Sequence, residues 1–435
     1  METLEQRTMK KVYRHLVPFL MLCYFFNFLD RTNVSFAALD MNKDLGFSAS
    51  VFGFGSGILF FAYMLCETPS NVLLVTIGAR KWLARIMVSW GIIASSMMFV
   101  TGEYSFYTIR VFLGAAEAGF FPGIIYFLTL WFPGVYRARV TGLFMACIPL
   151  SAAIGSPLST SLLYLDGILG LKGWQWLFLL EGIPSILLGV MTYFYLTERP
   201  REATGWLAED ERNWLEGRIT AEHDRKAAEL SLSMWQTLFN PRVLVLSLVA
   251  YTLASITIGV GAFMPQIVKE FGLTNMQTGL VSFIPPAAGA VAMIWWGRRS
   301  DRAMERKYHL VAAMAVAAIG IAAAALVDEP ITKMTWLTVS AIGLYSCSPV
   351  FWTLAPNFLT GPSAAVGIAF INSVAALGAF VAPWLIGLIK DATGSFSYGL
   401  LMLAAMVTAG GCLVLSINHN IALEHAPEQP QADTV

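Results

Sequence analysis

The stretch LVPFLMLCYFFNFLDRTNVSFAAL, Leu16 to Leu39, decides how the chain is read. About 20 mostly apolar residues suffice for a helix to cross a bilayer, and this run has that length. Asp30 and Arg31 nevertheless sit side by side near its middle. Moving a charge toward the bilayer centre costs roughly 2.5–3.5 kcal/mol on insertion scales, so function is expected at such a pair.

The rest of the chain extends the same pattern. Its 435 residues are 57% hydrophobic and only 13% charged, with a mean hydropathy of +0.63, well outside the range of soluble globular proteins. Scanning for apolar windows gives twelve candidate spans, near 16–38, 51–77, 82–101, 104–131, 137–164, 174–196, 243–268, 276–296, 308–327, 334–358, 361–389 and 396–418. Between spans six and seven, Thr197 to Asn240 is rich in Glu, Arg and Lys, its larger apolar residues including Trp206, Trp214 and Trp235. It reads as a solvated linker with one or two amphipathic helices at the membrane surface. The organisation expected is residues 1–196, a six-helix half; 197–242, a cytoplasmic linker; and 243–435, a second half with a cytoplasmic tail.

Charge sidedness orients the chain. Only Lys43, Lys172, Lys269, Lys333 and Lys390 fall on one side, and Arg31 and Arg110 lie inside spans, leaving 21 of the 28 Lys and Arg on the other. Cytoplasmic connections carry the basic excess, so both termini are placed in the cytoplasm of a bacterial inner-membrane protein. The zero net charge gives no support to nucleic-acid binding. Arg7, Lys10, Lys11 and Arg14 imitate the start of a signal peptide, but no small-residue cleavage site follows.

Several chemistries lack their residues. Cys23, Cys66, Cys147, Cys347 and Cys412 fall within spans without C-x-x-C spacing, and His15, His223, His309, His419 and His425 show no metal-ligand spacing. There is no P-loop and no dinucleotide fingerprint in a strand-turn-helix context. No metal, no cofactor and no enzymatic activity are therefore expected.

The halves look related. Thr141-Gly142-Leu143-Phe144 leads to Gly155-Ser156-Pro157, and Val366-Gly367-Ile368-Ala369 leads to Ala382-Pro383, at an offset of 225 to 226. Repeated six-span units are the trace of a transporter whose halves enclose a midplane site. The fold class expected is all-α, a polytopic membrane protein with twelve transmembrane helices in two pseudo-symmetric six-helix bundles.

Particular motifs carry a resemblance. Gly297-Arg298-Arg299-Ser300-Asp301-Arg302 followed by Glu305-Arg306-Lys307 resembles the G-x-x-x-D-R-x-x-(E/G)-R-(R/K) loop signature of the major facilitator superfamily. Phe28-Leu29-Asp30-Arg31-Thr32-Asn33, Pro69-Ser70-Asn71, Arg110 to Glu117, Gly173 to Phe178 and Ile371-Asn372-Ser373 resemble its anion:cation symporter family, as in tartrate, phthalate and galactonate permeases. The resemblance implies proton-coupled import of a small organic carboxylate by alternating access, in a monomer. By resemblance Asp30, Arg31 and Glu117 coincide with coupling and carboxylate-binding positions, and Tyr63, Trp352 and Asn372 with substrate-pocket positions.

The residues themselves point the same way. Arg110, Gly114 and Glu117 lie at i, i+4 and i+7 on one helix face, with the charges about 10 Å apart along the axis and Gly114 allowing another backbone close. Arg31 suits a substrate carboxylate because a guanidinium offers a planar, bidentate fork that stays charged. Asp30 and Glu117 are the proton carriers expected, since burial favours the protonated carboxyl and a nearby Arg the ionised one. Arg110 is expected to neutralise Glu117 or Asp30 when no substrate is bound. Glu67 is a fifth candidate, or a solvated residue near the end of its span. The alternative is that the same four charges form a structural network fastening spans one and four. The C-terminal spans carry no charge in their interiors, so the site is asymmetric. Ala375, Ala376 and Ala379 replace Gly and Asn common in relatives, which favours an aromatic or less hydroxylated acid. Anion exchange and a transporter-derived sensor are the alternative functions; Ser151 to Pro157 lacks the G-x-x-x-G-P of many antiporters.

Overall fold

Thr3 and Gln6 cap each other's backbone N–H groups at 3.1 and 3.2 Å and start α1, Leu4–Leu45. This reciprocal arrangement satisfies donors that a helix start leaves unpaired. At 1.5 Å per residue the 42 residues reach about 63 Å, so the apolar middle crosses the bilayer and both ends project from it. The computed structural model describes residues 3–227, 240–354 and 362–417, apart from the side chains of 138–139, 223–227, 354 and 362–366. Trp235, His419, His425, the 418–435 tail and the junction of spans ten and eleven lie outside the described residues, as do the side chains of Arg139, His223 and Val366.

The remaining helices are α2 (Ala49–Ile77), α3 (Ala79–Ser96), α4 (Glu103–Glu117), α5 (Phe120–Trp131), α6 (Gly134–Leu162), α7 (Gly173–Tyr195), α8 (Glu209–Ala227), α9 (Pro241–Lys269), α10 (Asn275–Ser282), α11 (Ile284–Ala303), α12 (Lys307–Leu326), α13 (Pro330–Leu354), α14 (Pro362–Thr393) and α15 (Ser397–Ser416). Twelve spans result, all helical. Eleven are clearly long and apolar enough to cross a membrane. The twelfth, α13, has 25 residues and mixes Thr, Ser and Pro into its apolar run.

One expected span is not continuous: the fourth is divided into α4 and α5 at Ala118-Gly119. In the eighth, Phe283 between α10 and α11 keeps helical angles, φ −63° and ψ −34°, so the span runs on, and Pro285 and Pro286 only remove backbone N–H donors within it.

In the early spans α1 packs on α6 and α7, α3 on α7, and α2 on α4; in the later ones α9 packs on α14 and α15, and α12 on α13 and α15. Between the two sets α2 meets α14, α6 meets α10 and α11, and α1 meets α9. In span numbers these pairs are 2 with 11, 5 with 8, and 1 with 7. Exchanging the halves maps this pattern onto itself, as an internal repeat requires.

The buried apolar residues show where the halves join. One cluster, from Met9 through Trp90 and Trp131 to Leu215, draws only on the early part of the chain. The other unites Val34, Met41, Phe52, Phe106 and Trp174 with residues of α9–α15. Those early residues lie at the end of the bundle away from the N-terminus, the far side, and there the halves share one core. The same side carries polar ties: Asp391 of α14 accepts from the Ala49 and Ser50 N–H groups at 3.0 and 2.9 Å, and Asn275 donates to Asp40 at 2.8 Å. On the near side the early spans keep a core of their own.

There α8 closes over the early spans. Arg7 pairs with Asp210 at 2.6 Å and Glu211 at 2.9 Å, Lys11 also holds Glu211 at 2.9 Å, and Arg137 pairs with Glu222. Trp206 stacks on His15 with centroids 4.1 Å apart, and on Trp131 at 5.3 Å. The described part of the linker is thus docked on the first half rather than lying free along the membrane.

Candidate functional site

A cavity of about 260 Å³ lies between the halves, and Tyr24, Phe28, Arg31, Tyr63, Trp352 and Asn372 are among its lining residues. A second chamber of about 140 Å³ shares Phe28, Arg31 and Phe60 with it and adds Ser56, Arg110 and Tyr345. Arg31 therefore stands where the two meet. Among the described residues no charged side chain of α9–α15 lines either chamber.

Arg31 Nε donates to Glu117 Oε2 at 2.6 Å, the guanidinium side chain being 15% exposed and the carboxylate fully buried. The Arg31 guanidinium carbon lies 5.1 Å from the Tyr63 ring centre, 5.4 Å from Phe28 and 5.9 Å from Phe60. Ring faces attract a cation, so this aromatic wall holds the guanidinium toward the cavity. Asn27 reaches Glu117 Oε2 at 3.4 Å, while Oε1 has no hydrogen-bond partner.

The break in the fourth span is what presents Glu117. The carboxylate is the last residue of α4; Ala118 leaves the helical region with ψ 130°, and Gly119 follows at φ +87°. Positive φ of this kind is comfortable only for glycine. The Ala118 carbonyl accepts from Ser70 Oγ at 2.6 Å, and Ser70 in turn accepts from Trp82 Nε1 at 3.0 Å. Pro69-Ser70-Asn71 thus supports the break.

Asp30 lies elsewhere. Successive helix residues point about 100° apart, and Asp30, 1% exposed, faces α3 and α7 instead of the cavity. Trp90 Nε1 donates to Oδ2 at 2.8 Å and Ser185 Oγ at 2.6 Å. The adjacent charges that open the sequence argument therefore belong to different places.

The expected pairing of Arg110 with Glu117 or Asp30 is not formed. Arg110 Nε and Nη2 donate to the backbone carbonyls of Gly55 and Ser56, each at 3.1 Å, tying α4 to α2. The two helices touch closely here because a Cβ on Gly114 would collide with the Leu59 carbonyl. Glu67 is not solvated: it is 8% exposed and both its oxygens accept from Asn372 Nδ2, at 2.8 and 3.0 Å. This contact joins α2 to α14 beside the cavity.

Trp352 lines the cavity together with Ala375, Ala376 and Ala379, so the wall from the later spans is apolar. One buried acid was overlooked in the count of deep charges. Glu181 of α7 is 2% exposed and accepts from Ser159 Oγ of α6 at 2.7 Å. Its signal in the sequence is the one that marks Asp30, a carboxylate inside an apolar run. Among the described residues no group of three His, Cys, Asp or Glu is placed to hold a metal ion.

Twelve spans in two packed sets, enclosing a cavity with a central guanidinium–carboxylate pair, define a multi-pass membrane transporter rather than an enzyme. The chain belongs to the Major Facilitator Superfamily, whose family model matches residues 20–383. It is 48% identical over 415 residues, 95% of each chain, to a protein of Agrobacterium vitis provisionally named a tartrate transporter. It is 34% identical to the inner membrane transport protein RhmT of Escherichia coli, over 94% of this chain and 95% of that one. Among solved structures, the partially occluded, inward-open xylose transporter XylE of E. coli superposes with a TM-score of 0.75 at 13% identity, covering 93% of this chain and 97% of that one. The fold is that of the superfamily.

Proposed function

We propose that the protein imports a small organic carboxylate together with protons, by alternating access across the bacterial inner membrane. The observation that carries this is the Arg31–Glu117 pair at the junction of the two chambers. A substrate carboxylate competes with Glu117 for the guanidinium. Once displaced, Glu117 is a buried carboxylate without its cation, a form that low-dielectric surroundings disfavour, and it takes a proton. One anion and one proton then enter the site as a neutral pair. Without cargo the pair neutralises itself, so the carrier can reorient unloaded; this favours symport over obligatory exchange.

Tyr63, Trp352 and Asn372 supply the rest of the proposed pocket. Asn372 is held by Glu67 and is released to donate to substrate when that contact opens. The aromatic and alanine wall accommodates a carbon chain or ring, and the relative named for tartrate supports the carboxylate class. Asp30 serves as a proton-holding residue behind the pocket, and Arg110 shapes the break-bearing helix that carries Glu117. The Lys and Arg distribution supports cytoplasmic termini, which makes the near side, where the halves keep separate cores, the cytoplasmic one.

The test is uptake into proteoliposomes, with substrates first found by a thermal-shift screen of mono-, di- and hydroxycarboxylates, since a true ligand stabilises by mass action. Uptake should require an inward proton gradient and vanish in Arg31→Ala. In Glu117→Gln, counterflow should survive while gradient-driven uptake is lost. Uptake that ignores the gradient but demands an internal counter-anion would establish exchange instead.

A further inference from the structure

Behind the pocket, α1 and α7 face each other with two acids on neighbouring turns. Asp30 and Asn33 lie at i and i+3 of α1, and Glu181 and Ser185 at i and i+4 of α7. Asp30 accepts from Ser185 and from Trp90 of α3; Glu181 accepts from Ser159 of α6 and lies against the Asn33 amide. Each carboxyl retains a buried oxygen with no hydrogen-bond partner, Asp30 Oδ1 and Glu181 Oε2.

The charges that could balance them are used elsewhere. Arg31 is held by Glu117, and Arg110 by the carbonyls of α2. Among the described residues, every group that donates to either acid is neutral: an indole and two hydroxyls. Glu117, which acts electrostatically on Asp30, is itself an acid. Two ionised carboxylates without a cation, in a dry site, carry a prohibitive desolvation cost.

We infer that Glu181 is a proton-binding residue of the transport cycle, acting with Asp30 as a two-carboxyl site that retains at least one proton at neutral pH. α1 and α7 run in opposite directions, which puts Glu181 about one turn, roughly 6 Å, farther toward the far side than Ser185 and Asp30. Glu181 is thus the member nearer the proposed outer face. On transfer, the O–H bond of the Glu181 carboxyl breaks and one forms at the Asp30 carboxylate, with no net change of charge in the pair. The inference rests on the proton-coupled reading for its place in the cycle, but not for the proton itself.

The experiment has two arms. Infrared spectra of the purified protein in liposomes, titrated from about pH 5 to 9, should show a protonated-carboxyl C=O band that is reduced in Glu181→Gln and shifted in Glu181→Asp. Spectra identical to the parent protein in both variants would overturn the proposal, and Glu181→Asp alone decides it if the Gln variant does not fold. In the second arm L-tartrate uptake is driven by a one-unit pH gradient. Loss of one coupled proton lowers accumulation about tenfold in Glu181→Gln, with tartrate counterflow retained; unchanged accumulation, or counterflow lost along with it, would mean a structural role. Should uptake by the parent protein ignore the gradient, the symport reading fails while the infrared arm still reports on Glu181.

Discussion

Less than a third of a helical turn separates the roles of Asp30 and Arg31. Both were legible in the sequence, because a charge in an apolar run must be compensated, and the same reasoning applies to Glu117 and Glu181. Their directions were not legible: a side chain two-sevenths of a turn away can face another helix or a cavity, and only the packing of α3 and α7 turned Asp30 inward from the pocket. At this scale Trp90→Phe is the sharp test. It removes the indole donor but keeps the apolar bulk, leaving Asp30 with Ser185, and should lower stability by about 1–3 kcal/mol. Thermal unfolding of the detergent-solubilised protein checks it. Arg31→Lys should bind substrate more weakly than the parent protein even though charge is kept, because an ammonium lacks the planar fork; affinities from thermal shift read this out.

At the scale of elements, a break decides more than a helix does. The run from Glu103 to Trp131 reads as one span because apolar residues continue through it, and Ala118-Gly119 alone does not announce a kink. What fixes it is Ser70 from α2 claiming the Ala118 carbonyl. Gly119→Ala would force a side chain into φ +87° and against Ser70. It should cost about 1–2 kcal/mol from the left-handed backbone alone and displace Glu117, which a loss of transport exceeding the loss of folded protein would show. The linker helix gives a pH prediction. Burial alone would raise the Glu211 carboxyl, but the Lys11 hydrogen bond, the Ala208 N–H and the charges of Lys11 and Arg7 outweigh it and hold it below the ordinary glutamate value. A carboxyl depressed in the folded state stabilises above its unfolded pKa and loses that contribution as pH falls through the folded one. The docking of α8 should therefore be complete at neutral pH and loosen below about pH 4. Hydrogen exchange of residues 209–222, slow at pH 7 after correction for intrinsic rates, checks it, with Glu211→Gln exchanging faster at pH 7.

Over the whole molecule, the apolar core that the halves share lies at the far side, and that asymmetry is what gives the cavity a direction. Shared core around Phe52, Phe263 and Phe396 joins the far side, with the Phe52 and Phe263 rings 5.5 Å apart, while Asp391 caps the start of α2. Losing such a cap costs about 0.5–2 kcal/mol. Asp391→Ala should therefore shift the population toward states open on the far side, since the contact exists only while the halves meet there. In a protein freed of its native cysteines, a Cys placed at Thr257, which lines both chambers, should react faster with an impermeant thiol reagent added from that side. Unchanged labelling would mean that the apolar contacts alone set the equilibrium.

Length, hydropathy and the distribution of basic residues by themselves determined that the chain is a helical membrane protein of twelve spans, because the bilayer imposes its thickness and its intolerance of charge on any sequence that crosses it; the motif Gly297 to Lys307 carried the resemblance to this superfamily. The deep charges were visible for the same reason. Only the tertiary structure decided their partners: Arg31 with Glu117, Arg110 with the carbonyls of α2, Glu67 with Asn372, and Asp30 set across from Glu181. Those pairings depend on how helices far apart in sequence rotate and cross, and on one break placed by a serine from a neighbouring helix, none of which a local pattern of residues encodes.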